Sequence, residues 1–303
     1  MQKVIVTGGS GFIGSNLVDR LIKDGFDVIV IDNESSECNA EFYYNTNAKY
    51  FKYNIEDYDL IEPLFKGVDY VFHLAAESRI QPTMDRPVKA CMTNIIGTCN
   101  ILEASRRNGI KRVIYSSTSS AYGLKNSIPL KETMHRDCLN PYSVTKAAGE
   151  DLCKMYHSLY GLETIIFRYF NVYGERQPLK GQYAPVVGLF LEMKKANKPM
   201  TVVGDGLQTR DYTYVGDVVE ANILATTATK NNVGEIFNVG TGTNHSVLDL
   251  VNMIGGDHIH LPARPGESRH TKADNAKIML DLGWQPKETI ANWISNYKKE
   301  NNI

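Results

Sequence analysis

Val4-Ile5-Val6-Thr7 runs directly into Gly8-Gly9-Ser10-Gly11-Phe12-Ile13-Gly14, and no other stretch restricts the fold so severely. An apolar run that ends in glycines three apart and then opens a helix reads as a strand–turn–helix unit. Glycines let such a turn close tightly on a pyrophosphate, and the helix N-terminus offers its N–H groups to the negative charge. The spacing here is G-x-x-G-x-x-G, with Gly8, Gly11 and Gly14, rather than the commoner G-x-G-x-x-G. A second β-type run, Val28–Ile31, ends in Asp32, 18 residues beyond Gly14. That is near the distance of an acid that holds a ribose 2′-hydroxyl. A carboxylate there repels a 2′-phosphate, so the reading is NAD rather than NADP.

The rhythm of the first ~170 residues extends this unit. Val4–Val6, Val28–Ile31, Tyr50–Tyr53, Tyr70–Leu74, Val113–Ser116 and Thr164–Phe170 are short and rich in Val, Ile, Phe and Tyr, and helical stretches separate them. One such stretch carries Val88, Cys91, Met92, Ile95, Cys99 and Leu102 on a single expected apolar face and stops at Asn108-Gly109. Alternation of this kind predicts an α/β chain with a doubly wound parallel sheet. After residue 170 Gly, Pro and Tyr break the rhythm. We expect residues 1–170 to bind the cofactor and 171–303 mainly to bind substrate, with some segments returning to the first domain. A last amphipathic helix is expected around Thr289–Lys299.

The 303 residues carry 33 basic and 34 acidic side chains, a net charge of −1. That balance argues against a nucleic-acid binder. No stretch reaches the ~18 apolar residues of a spanning helix, and Val4–Val6 is too short for a signal core. Five widely spaced cysteines without C-x-x-C fit buried, reduced thiols in a cytoplasmic protein. His258-x-His260 is the only close histidine pair. It reads as two side chains on a surface strand rather than the start of a metal site.

Tyr142 and Lys146 lie four apart in a helical segment, so they share one face. Before them comes Ser116-Ser-Thr118-Ser119-Ser120-Ala-Tyr122-Gly123, a run of hydroxyls at a strand end, where ligands of parallel sheets bind. A free tyrosine titrates near ~10, and a neighbouring ammonium favours its phenolate. With Thr118 orienting a substrate oxygen, Tyr142 as base and a hydride acceptor nearby, these residues suit alcohol–ketone oxidation. His73 reads as structural.

With these residues together, the chain resembles the extended short-chain dehydrogenase/reductases, specifically the nucleotide-sugar epimerases and dehydratases. The motifs are Thr7–Gly14, His73-Leu-Ala-Ala76, Asn94-Ile-Ile-Gly-Thr98, the hydroxyl run, Tyr142-x-x-x-Lys146, Arg168-Tyr-Phe-Asn-Val-Tyr-Gly174, Gly204-Asp-Gly206 and Arg210-Asp-Tyr212. The resemblance spans essentially the whole chain. It implies a Rossmann-type doubly wound parallel sheet with a smaller C-terminal α/β substrate domain. It implies Thr118, Tyr142 and Lys146 as catalytic residues. For NAD it implies Gly8, Gly11, Phe12, Ile13, Gly14, Asp32, Asn33, Asn54, Ile55, Leu74, Ala75 and Ala76, with Asn94, Tyr142, Lys146 and Phe170 toward the nicotinamide. For a nucleotide sugar it implies Ser78, Thr118, Ser119 and Asn171, Arg210 and Arg264 on the diphosphate, Tyr212 and Glu267 near the nucleoside, and Thr271 at the sugar. Family members usually carry Asp at positions 54 and 267. The family also dimerises through the helices that hold Ile95 and Tyr142, so a homodimer is expected.

Dehydratases of the family follow the threonine with an Asp-Glu pair, and decarboxylases keep the Glu. Here Ser119 and Ser120 stand there, and elimination lacks its acid and base. That pattern favours a UDP-sugar 4-epimerase, in which Tyr142 takes the 4-hydroxyl proton and a 4-keto sugar turns over. Arg264-Pro-Gly-Glu-Ser-Arg269-His270-Thr271 resembles the gate segment of these enzymes. A small Thr271 after Arg269-His270, together with Tyr183-Ala184-Pro185-Val186, resembles the type that accepts N-acetyl sugars. UDP-GlcNAc/UDP-GalNAc is therefore the expected pair, with UDP-Glc/UDP-Gal as a second. Competing readings are a UDP-glucuronate 4-epimerase, a reductase, a dehydratase, or an NAD(H) sensor without activity.

Overall fold

The computed structural model describes residues 1–37, 39, 41–179, 185–262 and 269–303. Its centre is a seven-stranded sheet in which every pairing is parallel. The strands are β1 (Lys3–Thr7), β2 (Asp27–Ile31), β3 (Lys49–Phe51), β4 (Tyr70–His73), β5 (Arg112–Thr118), β6 (Glu163–Tyr169) and a seventh, Ile236–Val239. In space they run β3-β2-β1-β4-β5-β6-seventh. The order reverses between β1 and β4, and a ligand crevice opens at such a reversal, beyond the carboxyl ends of the strands.

Period-two side-chain alternation explains why the sheet is covered on both faces. Val4, Val6, Val28, Val30, Phe72 and Ile114 pack with Leu17, Val18 and Leu21 of α1 (Phe12–Lys23), and with Val218 and Trp284 from later in the chain. Ile5, Ile29, Ile31, Val71, Val113 and Tyr115 point the other way, onto Ile101, Leu102, Cys153 and Tyr156. A third core lies apart from the sheet. Tyr173, Phe190, Val202, Leu250, Val251 and Trp293 build it around the parallel pair Met200–Val203 and His258–Leu261. The helices Val186–Lys195, Val247–Ile254 and Ile290–Asn301 enclose it. After β6 the chain thus both builds this smaller layer and returns to the sheet, through the helix Val215–Thr226 and the seventh strand.

The expected helix over 88–102 forms, but only the end of its apolar stripe, Leu102 with half-buried Cys99, reaches the core. Pro87–Cys91 is α-helical, Met92–Gly97 is a π-helical turn, and Thr98–Arg107 is α-helical again. The wider turn shifts the inward face to Thr93, Asn94, Gly97, Thr98, Ile101 and Leu102. Val88 (75% exposed), Cys91, Met92 and Ile96 face solvent, and Ile95 and Cys99 are half-buried. The thiols also differ from expectation. Cys153 is buried, Cys99 and Cys138 are half-buried, and Cys91 is exposed, while Cys38 lies outside the described residues. His258 and His260 sit on an exposed strand with ring centroids 5.4 Å apart. Among the described residues no helix is long and apolar enough to cross a membrane.

Candidate active site

A cleft of about 830 Å³ follows the carboxyl ends of β1, β2, β4 and β5. The glycine turn forms one wall. Gly8 has φ +73°, and a Cβ there would stand 2.8 Å from the backbone nitrogen of Ala75. A Cβ on Gly14 would stand 2.1 Å from the Gly8 carbonyl oxygen. Side chains are thereby excluded where β1, α1 and the β4 loop converge. Gly11 is the N-cap of α1 and provides no side-chain cap, so the first-turn N–H groups of Phe12, Ile13 and Gly14 face a cradle suited to phosphate oxygens.

Asp32 follows β2 at the rim. Its Oδ2 accepts from Ser10 N at 3.0 Å and its Oδ1 from Glu34 N at 2.8 Å. Burial nevertheless pushes its carboxyl above the usual range, against the pull of these two bonds. Asn33 and Ile55 also line the cleft. Asn54 does not: its Oδ1 accepts from Asn33 Nδ2 at 2.9 Å, and its Nδ2 donates to Asp57 at 3.0 Å. Leu74, Ala75, Ala76 and Ser78 form the opposite wall.

The reactive side chains meet where β5 ends. The long helix Pro141–Tyr160 starts at a capping box: Asn140 Oδ1 accepts from Ser143 N at 2.9 Å, and Ser143 Oγ accepts from Asn140 N at 3.3 Å. That cap, with Pro141 in the first turn, fixes Tyr142 and Lys146 on one face. Thr118 ends β5, accepts from Ser120 N at 3.1 Å, and lines the cleft together with Tyr142 and Lys146. Burial pushes the Tyr142 phenol up, while Thr118 and the Arg79 charge pull it back. Lys146 is 3% exposed, with its Nζ 4.3 Å from the centroid of the Tyr115 ring. Burial pulls its ammonium down to about 7, against the smaller opposing influence of Cys153 and Glu150.

A chain of hydrogen bonds joins the glycine turn to this helix. Thr98 Oγ1 donates its only proton to the Asn94 carbonyl (2.7 Å), so His73 Nε2 must donate to Thr98 Oγ1 (2.9 Å). His73 Nδ1 then accepts from Thr7 Oγ1 (2.7 Å), whose oxygen accepts from Ala75 N (3.2 Å). Full burial keeps this imidazole neutral and pushes its pKa down to about 3. From the π-helical turn, the Asn94 side chain clamps Glu77 N (2.8 Å) and Glu77 O (3.1 Å) and donates to Thr145 Oγ1 (2.9 Å). Asn94 therefore acts on the site from behind the cleft lining.

Other expected residues have distinct places. Ser119 and Asn171 line the cleft. Phe170 is wholly buried beside Tyr122, with centroids 6.3 Å apart. Tyr212 lies inside the third core, 4% exposed, and does not line the cleft. Arg210 donates to Thr209 O at 3.0 Å. Thr271 Oγ1 accepts from Asn171 Nδ2 at 3.4 Å, which puts the expected gate residue against a cleft-lining side chain. Arg264, Glu267, Tyr183 and Ala184 lie outside the described residues. The sequence reading missed Glu77, Arg79, Gln81 and Met84, all in the lining. The loop after β4 carries no spacing that marks them, and only its position at the order reversal points to them.

Comparison with known proteins accords with this geometry. The family model described as "NAD dependent epimerase/dehydratase family" matches residues 4–240. A putative UDP-glucose 4-epimerase of Methanocaldococcus jannaschii is 38% identical over 97% of this chain and 98% of its own. Among solved structures, the UDP-glucose 4-epimerase of Thermotoga maritima with UDP-glucose superposes with a TM-score of 0.93, at 36% identity and full coverage of both chains. A UDP-N-acetylglucosamine 4-epimerase of Methanobrevibacter ruminantium, in complex with UDP-N-acetylmuramic acid, gives 0.92 at 33% identity over 100% of this chain and 99% of its own.

Proposed function

The chain belongs to the NAD dependent epimerase/dehydratase family, and from that premise we propose that it interconverts the C4 epimers of a UDP-sugar through a transient 4-keto intermediate. The observation that carries this reading is the convergence of Thr118, Tyr142 and Lys146 on one cleft, Tyr142 one helical turn from Lys146, with serines and no carboxylic acid at positions 119 and 120. The cradle of Gly8, Gly11 and Gly14 with Asp32 at its rim fits a dinucleotide that bears two ribose hydroxyls. Bound NAD supplies the acceptor and donor of hydride at C4. Tyr142 takes the 4-hydroxyl proton and later returns it. Thr118 holds the same oxygen in place, and the Lys146 ammonium favours the phenolate. Residues 1–170 hold the cofactor in this scheme, and 171–303 mainly the nucleotide sugar.

We infer UDP-GlcNAc/UDP-GalNAc as the preferred pair. Small Thr271 supports it, since its contact with Asn171 puts it beside the cleft and leaves room for an N-acetyl group. Roles for Arg210 and Arg264 on the diphosphate and for Glu267 and Tyr212 near the nucleoside belong to the same proposal. A proton-NMR time course with both sugar pairs tests it. Tyr142→Phe should lower turnover by roughly 10²–10⁴-fold. Thr271→Tyr should suppress the acetylated pair selectively; equal loss on both pairs would remove the gate from the account.

One observation favours a second substrate. Arg79 lines the cleft close enough to act on Tyr142, and no carboxylate among the described residues pairs with it, so it suits a sugar carboxylate. UDP-glucuronate as the only substrate turned over would establish that alternative. We also propose a homodimer. Ile80, Met84, Val88, Met92 and Ile96 recur every fourth residue and are all exposed, and Val144 of the long helix is exposed as well. A monomer by light scattering at micromolar concentration would refute it.

A further inference from the structure

Behind the reactive residues lies a charged cluster that reaches the cleft only through Ser117. Ser117 Oγ donates to Glu150 Oε1 at 2.6 Å. Arg168 of β6 meets the same carboxylate as a fork, Nε to Oε1 at 2.8 Å and Nη2 to Oε2 at 2.7 Å. The two side chains are 1% and 2% exposed. Arg136 stands 3.9 Å from Glu150 Oε2. The Arg168 guanidinium lies 4.6 Å from the Tyr122 ring centroid, and the Tyr122 hydroxyl donates to Asn238 of the seventh strand at 2.7 Å. One carboxylate thus ties β5 and β6 to the long helix, and Arg168 and Tyr122 extend the tie to the seventh strand.

Its place in the chain matters for chemistry. Ser117 immediately precedes Thr118. Glu150 follows Lys146 by one helical turn and Tyr142 by two. Any change in the Ser117–Glu150 bond therefore moves the strand end against the helix face that carries both reactive groups. The groups facing Lys146 are few. Tyr115 of β5 presents its ring, His73 of β4 is neutral, and Tyr142, Glu150 and Cys153 share the helix. Burial pushes the Cys153 thiol far up, so it is uncharged at working pH. Glu150 is then the one anion acting on Lys146 among the described residues, tempered by Arg168 and Arg136.

We propose that Glu150 is a positioning residue for the C4 reaction: through Ser117 it sets Thr118 against Tyr142, and through its charge it keeps Lys146 protonated. The proposal rests on the epimerase reading for the reaction it serves, but the state of Lys146 can be read without turnover. Two variants separate geometry from charge. Ser117→Ala removes one hydrogen bond and keeps the ion pair. It should lower kcat about tenfold with little change in KM, since small misplacements of reacting groups are costly. It should leave the Lys146 midpoint where it was.

Glu150→Gln removes the charge. It should shift the Lys146 midpoint down by about one pH unit and move the alkaline limb of the kcat–pH profile down with it. The midpoint is read from the pH dependence of urea unfolding, as the difference between Glu150→Gln and the double variant that also carries Lys146→Met. Should Glu150→Gln fail to fold, Arg168→Lys, which breaks the fork and keeps both charges, should reproduce the loss in kcat without the shift. Lowered thermal stability in Ser117→Ala and Glu150→Gln, with kcat, pH profile and Lys146 midpoint all unmoved, would overturn the proposal and leave the cluster a packing device. If the unaltered protein turns over no UDP-sugar, the epimerase reading fails, while the midpoint comparison still decides the role of Glu150 toward Lys146.

Discussion

Lys146 allows the construction of the site to be tested by its energetics. Its side chain is buried, its Nζ rests over the Tyr115 ring, and burial lowers its pKa from 10.5 to about 7. A shift of that size means that holding the charge in the folded, cofactor-free protein costs about 5 kcal/mol. The folded-state pKa lies below the unfolded one, so the unfolded chain binds the extra proton between them. Stability therefore rises with pH across that window by about 1.4 kcal/mol per unit. Below about pH 7 the whole cost is present, and above about pH 10.5 it is gone. Lys146→Met keeps most of the stem and deletes the charge. The stability advantage of the Met variant over the unaltered protein should be largest near pH 6 and shrink by roughly 2–3 kcal/mol between pH 7 and pH 9. Urea unfolding of the cofactor-free proteins at closely spaced pH values measures this difference, and other titrating groups cancel between the two. A difference that stays flat across the range would refute the desolvated ammonium, and with it this account of how the site holds its charge.

Three further outcomes follow from the same geometry. Gly14→Ala puts a Cβ 2.1 Å from the Gly8 carbonyl, a backbone atom with nowhere to retreat; the strain of about 1–3 kcal/mol should appear as at least tenfold less cofactor retained, measured after heat release. His73 is held neutral with a pKa near about 3, below its unfolded value, so stability is present above pH ~6.5 and lost as pH falls. His73→Gln should remove roughly 2–3 kcal/mol of the decline between pH 6 and pH 4, and an unchanged acid limb would count against the deduced tautomer chain. Met92→Glu places a charge within the exposed apolar row and should give a monomer by light scattering, with the fold unchanged by circular dichroism.

What the sequence disclosed and what it hid divides along physical lines. Strands buried on both faces are written as short apolar runs, and β1, β2, β4, β5 and β6 were readable from them. The glycine turn and the Tyr142–Lys146 spacing are local, so their geometry was readable as well. The row from Val88 to Met92 was misread, because a π-helical turn changes which residues face inward and an apolar stripe looks the same against a core or against solvent. Tyr212, expected near the nucleoside, has its ring packed in the third core, and nothing in the sequence fixes how deep a tyrosine sits. The clusters around Asn94 and Glu150 are built from residues 17 to 51 positions apart, and no spacing rule announces contacts of that range.

The central claim is that Tyr142 and Thr118 serve a transfer of hydride out of C4 and back, with no net oxidation. UDP-GlcNAc deuterated at C4, followed by proton NMR with the cofactor as the protein carries it, tests this directly. The account expects UDP-GalNAc that retains deuterium at C4, with no NADH accumulating. Epimerised product with hydrogen at C4, or net conversion of the cofactor in step with the sugar, would contradict it.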